Sequence, residues 1–349
     1  MNERNPFSLM YGKSPYSIIN RDAQYNEIID TFCNENPSTY SYVITGIRGS
    51  GKTVLLRTIA NELSSKNNWI VIDANPQDDF IKPLSEKLLY EGKKHKLFTD
   101  WSITINAKIA SLTISNKNVY TNPEIIFEKL LKDATKQKKN VLITIDEVNS
   151  TKELKKFANF YQSMIGKNYN LFLLMTGLKN NINALISSDA SSFLSRTPKI
   201  DLMPLDEIEI SHEYKRIFNI STEMSIDLAK LTRGYAFAYQ VLGYLFYNYD
   251  NKKIDGYLLD KYDKYLQTNG YDVIWKDLTN QEKNICFALN ESNNTSNKIQ
   301  NKIKMSETNY QNYRKKLIEK GIIEPDGYGK LKFSLPRFEQ FVSIMKLFE

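Results

Sequence analysis

At 349 residues the chain has room for about two or three domains, and with 41% hydrophobic and 25% charged residues its composition is that of an ordinary water-soluble globular protein. Two cysteines (Cys33, Cys286) and two histidines (His95, His212) exclude a disulfide framework and a Cys/His metal site; the polar opening Met1-Asn2-Glu3-Arg4-Asn5 and the lack of any run of about 18 apolar residues argue against a secretory leader and a membrane span, so a reducing cytoplasm is expected. The net charge of +7 permits a polyanionic partner without requiring one.

Residues 1–40 read as an entry segment. Asn5-Pro6-Phe7 and Lys13-Ser14-Pro15-Tyr16 are extended, because proline disfavours helix in the residue before it. A helix opens at Ile18-Ile19-Asn20-Arg21-Asp22 and runs to about Phe32, with Ile28, Ile29 and Phe32 as its apolar stripe. The apolar run Tyr42-Val43-Ile44-Thr45 then leads through Gly46-Ile47-Arg48-Gly49-Ser50-Gly51-Lys52-Thr53 into Val54-Leu55-Leu56-Arg57-Thr58-Ile59-Ala60. Strand, glycine-rich loop and helix in this order, spaced G-x-x-x-x-G-K-T, make a phosphate-binding loop. Gly46, Gly49 and Gly51 let the backbone turn so that N–H groups, Ser50's among them, point inward at an anion, and the helix adds the positive end of its dipole. Lys52 reaches the β- and γ-phosphates of a nucleotide and Thr53 holds Mg²⁺. Arg48 reaches phosphate or a neighbouring acid, and Val54 closes the nucleotide-binding set. Residues 1–40 are then either a surface arm that only packs or an arm over the nucleotide base.

Trp69-Ile70-Val71-Ile72-Asp73 reads as a second buried strand and about Phe80 to Tyr90 as a helix. Ile103-Thr104-Ile105-Asn106-Ala107-Lys108-Ile109 alternates, as a strand or as part of an insertion near 97–120. Asn122-Pro123-Glu124 starts a helix with Ile125, Ile126, Leu130 and Leu131 on one side. Val141-Leu142-Ile143-Thr144-Ile145 is a buried parallel strand ending in Asp146-Glu147. In a phosphate-loop enzyme the first acid there coordinates Mg²⁺ through water, and the second orients or deprotonates the attacking water. Glu147 therefore favours hydrolysis over phosphate transfer to a metabolite. After a helix at about 151–165, the strand Leu171-Phe172-Leu173-Leu174-Met175-Thr176-Gly177 ends with Thr176, which either contacts the γ-phosphate or water, or caps a turn. Arg196, in Ser191-Ser192-Phe193-Leu194-Ser195-Arg196, is either an arginine finger, in cis or in trans, or a plain surface arginine. Pro198-Lys199-Ile200-Asp201-Leu202 is the last strand of this region.

Residues 206–265 read as three or four short helices with Leu228, Leu231, Tyr239, Leu242 and Leu245 as core, a small helical lid interrupted at Gly234-Tyr235. A linker is expected near 266–277. The capping box Thr279-Asn280-Gln281-Glu282 starts a helix through Leu289, Thr295-Ser296 starts a second carrying Ile299 and Ile303, and Ser306 caps a third over about 307–320. Ile322-Ile323-Glu324 and Lys330-Leu331-Lys332-Phe333-Ser334-Leu335 flank a Pro-Asp-Gly turn as a hairpin. Three helices and a hairpin make a winged helix-turn-helix. Tyr310, Tyr313 and Leu317 share the third helix's core face; Thr308, Asn312, Lys315 and Glu319 lie opposite, flanked by Gln311 and Lys316. In a DNA reader Asn312, Lys315 and Lys316 reach base edges, and Lys330 and Lys332 on the wing meet phosphates.

These residues together resemble the AAA+/STAND kind of prokaryotic ATP-binding protein, a phosphate-loop ATPase with a C-terminal winged helix distantly like origin-recognition initiator ATPases. Gly46 to Thr53 and Ile145-Asp146-Glu147 carry the resemblance most specifically. Asn5-Pro6-Phe7, Asn20-Arg21-Asp22, Met175-Thr176-Gly177, Phe193-Leu194-Ser195-Arg196, Gly234-Tyr235 and Gln240-Val241-Leu242-Gly243 extend it. It implies ATP with Mg²⁺ rather than GTP, Asn20 and Arg21 near the adenine, Thr176 as a sensor-1 residue and Arg196 as a finger. Where many such lids carry an arginine after Gly-x-Pro, this chain has Gly234-Tyr235-Ala236-Phe237, and Arg233 is one register away.

The expected architecture is α/β: an arm and helix near the nucleotide (1–40), a parallel-sheet phosphate-loop NTPase core of AAA+-like form (41–203), a helical lid (204–265) and a winged helix-turn-helix (270–349). The expected function is a slow ATPase switch whose nucleotide state controls assembly and the presentation of the winged helix to DNA. The alternative is an ATP-dependent signalling scaffold of the STAND kind, for example in phage defence, that self-associates or binds a protein partner without reading DNA.

Overall fold

The computed structural model describes residues 4–9, 15–75, 80–98, 101–106, 109–114, 118–187, 192–291 and 295–348. Of the sequence expectations, Met1-Asn2-Glu3, Lys13-Ser14, Ala107-Lys108 and Ser191 lie outside them. The chain forms two compact units: Arg21–Thr45 with Lys52–Asp201, and the residues up to Asn20 with Gly46–Gly51 and the chain from Leu202 onward.

The first unit is an α/β layer built on a parallel sheet. Its elements in order are α1 (Asp22–Cys33), β1 (Ser41–Thr45), α2 (Lys52–Ser64), β2 (Trp69–Ala74), α3 (Ile81–Lys94), β3 (Trp101–Asn106), β4 (Ile109–Ile114), β5 (Asn118–Tyr120), α4 (Pro123–Lys136), β6 (Asn140–Ile145), α5 (Lys152–Ile165), β7 (Leu171–Gly177), α6 (Lys179–Ile186), α7 (Ser192–Arg196) and β8 (Lys199–Asp201). Five strands pair in parallel in the order β2-β6-β7-β1-β8. Continuous apolar runs suit a sheet covered on both faces, and β1 and β7 are buried along their whole length. The register sets Ile145 against Met175, Ile44 against Thr176, and Thr45 against Gly177, so the carboxyl ends of β6, β7 and β1 lie side by side.

Local signals place several boundaries. Asn122 caps α4, its Oδ1 accepting the Glu124 N–H at 2.9 Å, with Pro123 in the first turn where its missing N–H costs nothing. Two expectations change. Ile125 is 45% exposed, and the buried stripe of α4 is Ile126, Phe127, Leu130, Leu131 and Ala134. The alternating run from Ile103 to Ile109 is not one strand: Ile103 to Asn106 end β3 and Ile109 begins β4, in a separate antiparallel sheet ordered β3-β4-β5. Alternation has the same period in both strands, so it does not mark the reversal.

The second unit is helical: α8 (Glu207–Phe218), α9 (Thr222–Thr232), α10 (Ala236–Tyr247), α11 (Gly256–Leu266), a π-helical turn (Gln267–Tyr271), α12 (Asp272–Lys276), α13 (Asn280–Glu291), α14 (Ser296–Ile303), α15 (Glu307–Glu319), β9 (Ile323–Pro325), β10 (Leu331–Phe333) and α16 (Phe338–Met345). One apolar core runs through it from Phe7 and Leu205 to Val342. Leu228, Tyr239 and Leu242 are buried in that core, while Leu231 and Leu245 are packed against it half-buried. Phe7 packs tilted or edge-on among the rings of Tyr214, Phe218 and Tyr239, so the extended N-terminal segment lies on α8 and α10. The expected linker at 266–277 is helical instead, and its Tyr271 and Trp275 are 1% and 2% exposed. The Thr279 capping box forms: the Thr279 N–H donates to Glu282 Oε2 at 2.8 Å, and the Glu282 N–H to Thr279 Oγ1 at 3.4 Å. Lys320 sits 2.8 Å from the same buried carboxylate, and with the Thr279 donors holds its pKa below the usual value against the cost of burial. α16 is an addition to the expected elements: its buried Phe338 meets Phe333 of β10, and its Phe341 meets Tyr271 and Trp275.

The regions 204–265 and 270–349 are tied by charged bridges as well as by the core. Arg233 donates to the carbonyls of Phe333 at 2.8 Å and Leu335 at 3.1 Å and to Glu339 at 2.9 Å. Arg337 forks onto both carboxylate oxygens of Asp263. No helix among the described residues is long and apolar enough to cross a membrane.

Candidate nucleotide site

The loop Gly46–Gly51 leaves the carboxyl end of β1, and α2 begins at once with Lys52. Gly49 (φ +76°) and Gly51 (φ +94°) occupy left-handed backbone that side chains resist, and a turn closes from the Ser50 N–H to the Ile47 carbonyl at 3.2 Å. Within the second unit the loop's carbonyls are bound by the start of α10. The Tyr235 hydroxyl donates to the Arg48 carbonyl at 2.9 Å, and the Phe237 N–H to the Gly49 carbonyl at 3.1 Å. A Cβ on Gly49 would overlap the Tyr235 hydroxyl and come within 3.0 Å of Phe237 Cβ. Burial pushes the Tyr235 hydroxyl above its ordinary pKa, so it stays a donor.

In the first unit the predicted acids and hydroxyls converge. Thr53 Oγ1 donates to Asp146 Oδ1 at 3.2 Å, and Thr176 Oγ1 donates to the same oxygen at 2.5 Å. The Glu147 N–H donates back to Thr176 Oγ1 at 3.1 Å, and the Val148 N–H to the Thr176 carbonyl at 2.8 Å. The fully buried Thr176 hydroxyl is thus the peg on which the turn after β6 hangs. That turn holds Glu147 at φ +56°, a conformation a non-glycine residue adopts at a cost of about 1–3 kcal/mol, and leaves its residue exposed. Thr53 and Asp146 offer the hard oxygen donors that Mg²⁺ takes, so the donor chemistry fits that ion.

Other expected residues are dispersed. Arg21 is half-buried at the start of α1, where desolvation lowers its pKa; Asn20 is exposed and belongs to the other unit. Lys52 and Val54 are half-buried in the first turn of α2. Arg196 is exposed at the end of the five-residue α7. Asn312, Lys315, Lys316 and Lys330 are exposed, whereas Tyr313, expected in the core, is only half-buried. Lys332 is engaged by Glu324 at 3.3 Å and Asp326 at 3.4 Å, and Lys315 lies 4.0 Å from Glu319.

Three contributors escaped the sequence reading. Asp201 ends β8, accepts the Thr45 hydroxyl at 2.8 Å and pairs with Lys179 at 2.8 Å; against burial, these donors hold its carboxyl below the usual range. A carboxylate at a strand's carboxyl end was the available signal for it. Tyr235 and Phe237 had only the neighbouring Gly234 as a mark.

A family model described as an ATPase domain predominantly from Archaea matches residues 18–219. This chain belongs to that ATPase family. The match takes in the loop, Asp146-Glu147, Thr176 and Arg196. A second model, a domain of unknown function, matches residues 268–342 of this chain, from the π-helical turn through most of α16. An uncharacterised ATP-binding protein of Methanocaldococcus jannaschii is 25% identical over 290 residues, 77% of this chain and 70% of that one. Among solved structures, a Walker-type ATPase of Pyrococcus abyssi superposes with a TM-score of 0.64 at 16% identity, covering 93% of this chain and 96% of that chain. The Aeropyrum pernix ORC2 protein, solved as ADPNP–ADP complexes, also gives 0.64, at 12% identity and with 100% and 99% covered. These two likenesses agree with the parallel-sheet ATPase fold described above.

Proposed function

We propose that this chain is a slow, cytoplasmic ATPase switch. Gly46, Arg48, Gly49, Ser50 and Gly51 cradle the phosphates, Lys52 neutralises the β- and γ-oxygens, and Val54 and the Asn20-Arg21 pair border the nucleoside. Thr53 and Asp146 hold Mg²⁺, which when bound neutralises charge on the transferring group. Glu147 orients the attacking water and accepts its proton, Thr176 fixes both acids, and Arg196 reaches the γ-phosphate in cis or from a second copy. The observation that carries this reading is the convergence of Thr53 and Thr176 on one oxygen of Asp146, with Glu147 next in line. Lys52→Ala removes a charge-assisted contact and weakens Mg-ATP binding about 10- to 100-fold in a calorimetric titration. Unchanged affinity in that variant would overturn the site.

We further assign residues 204–265 as a lid and 270–349 as a winged helix-turn-helix, whose presentation to DNA and whose assembly follow the nucleotide state. Asn312, Lys315, Lys316 and Lys330 are the contacts. Replacing Lys315 and Lys316 with Ala lowers the slope of log affinity against log salt for duplex DNA by about 2. The engagement of Lys332 by Glu324 and Asp326 favours a second reading, in which this face binds a protein and the ATPase serves as a signalling scaffold. An unchanged salt slope together with ATP-driven assembly would select that reading.

A further inference from the structure

We propose that Tyr235 and Phe237 shape the phosphate loop from behind, in the place of the missing lid arginine, and that Ile47 passes the loop's state to the end of α15 and the hairpin. The inference rests on the reading of Gly46–Gly51 as a nucleotide loop and specifies its regulation.

The geometry follows from the peptide unit. In a planar trans peptide the carbonyl and the N–H point in opposite directions. The Arg48 carbonyl and the Gly49 N–H belong to one such unit, and the Gly49 carbonyl and the Ser50 N–H to the next. The Tyr235 hydroxyl and the Phe237 N–H draw both carbonyls to the α10 side. The Gly49 N–H is thereby aimed the other way, as a donor toward an anion, while the Ser50 N–H closes the turn onto the Ile47 carbonyl at 3.2 Å and fixes the curvature of the cradle. A lid arginine would meet a nucleotide directly; these two donors act on the cradle instead, so they are positioning groups rather than catalytic ones.

The same loop has a second hold on the unit. Ile47 packs against the core that contains α13 to α16. Gly321, at φ +67° between α15 and β9, sits so close to it that a Cβ there would overlap Ile47 Cγ2. The Gly321 carbonyl accepts the Ser334 hydroxyl at 2.6 Å, and the Ile322 carbonyl accepts the Ser334 N–H at 3.0 Å, so this point also anchors the chain after β10. Any change in the loop at Ile47 is therefore met at the junction of the α15 face and the hairpin. Linkage makes the coupling reciprocal: whatever binds that module alters nucleotide affinity by the same factor.

Four proteins test this: wild type, Lys52→Ala, Tyr235→Phe and Ile47→Ala, each titrated with Mg-ADP by calorimetry and followed by hydrogen exchange over residues 318–335. Tyr235→Phe keeps the ring and loses one hydrogen bond, so its Mg-ADP affinity falls about 3- to 10-fold. Wild type gains protection over 318–335 at saturating Mg-ADP, and Ile47→Ala loses most of that gain. A Tyr235→Phe protein with a lowered Tm but wild-type affinity would reduce Tyr235 to packing and overturn its part. Should that variant not fold, the wild-type exchange decides: no nucleotide-dependent change over 318–335 overturns the coupling. If wild type binds Mg-ADP no better than Lys52→Ala, the nucleotide reading itself fails, which is a distinct result.

Discussion

Glu147→Gln keeps Mg-ATP bound and slows its turnover by about 10²-fold or more, the usual contribution of a positioned general base. Glutamine preserves the size and most of the polarity of the side chain, so binding, which the proposed function assigns to Lys52, Thr53 and the loop, is retained. It removes the proton acceptor. Placement of that acceptor is set by the backbone: the Glu147 and Val148 N–H groups are both held by Thr176, and Glu147 sits at φ +56° beyond the strand end. Strain of this kind persists where the surroundings over-determine it, and here one buried threonine does so. Single-turnover hydrolysis alongside equilibrium ATP binding separates the two effects. Normal turnover in the variant would assign the base elsewhere; lost binding would make Glu147 part of the Mg²⁺ site.

The parts of this protein legible in its sequence are those whose signal is local. A buried parallel strand is a continuous apolar run, and β1, β2, β6 and β7 lie where such runs occur. Gly46 to Thr53 declares itself by spacing, and Asp146-Glu147 by its place at a strand end. Legibility fails where a contact joins distant segments. Nothing near Arg233 announces that its guanidinium binds the carbonyls of Phe333 and Leu335, about a hundred residues on. Tyr235 likewise looks like a helix-starting aromatic until the Arg48 carbonyl is seen beside its hydroxyl. In α16, Phe338, Phe341 and Val342 do carry helical spacing, but the run is eight residues long and follows a hairpin that looked like an ending. Asn269-Gly270 has the composition of a turn, yet the chain takes a π-helical turn there because Leu266 before it and Tyr271 after it are both drawn into the core.

That last discrepancy leads to the largest expected effect on stability. Trp275→Ala costs about 3–5 kcal/mol, the range for removing a buried aromatic from a packed core. Trp275 is 2% exposed, with ring centroids 5.4 Å from Phe287, 5.7 Å from Phe341 and 6.4 Å from Phe338. It therefore joins α12 to both the start and the end of the C-terminal region, and α13, α16 and α12 would share the cavity left behind. The same core continues into α8 to α11, and Arg233 and Arg337 bridge the two stretches. The loss should thus appear as a shift of one cooperative urea transition, with the helices of 204–265 melting together with those of 270–349, rather than as early release of a detachable tail. Val273→Ala, two residues away and 36% exposed, changes the unfolding free energy by no more than about 0.5 kcal/mol, which separates burial from local helix propensity. A Trp275→Ala protein that lost under about 1 kcal/mol, or that unfolded in two resolved steps, would restore 266–277 to the status of a linker. It would also free the C-terminal module from the helices that grip the phosphate loop, and with them the route by which a nucleotide could be felt there.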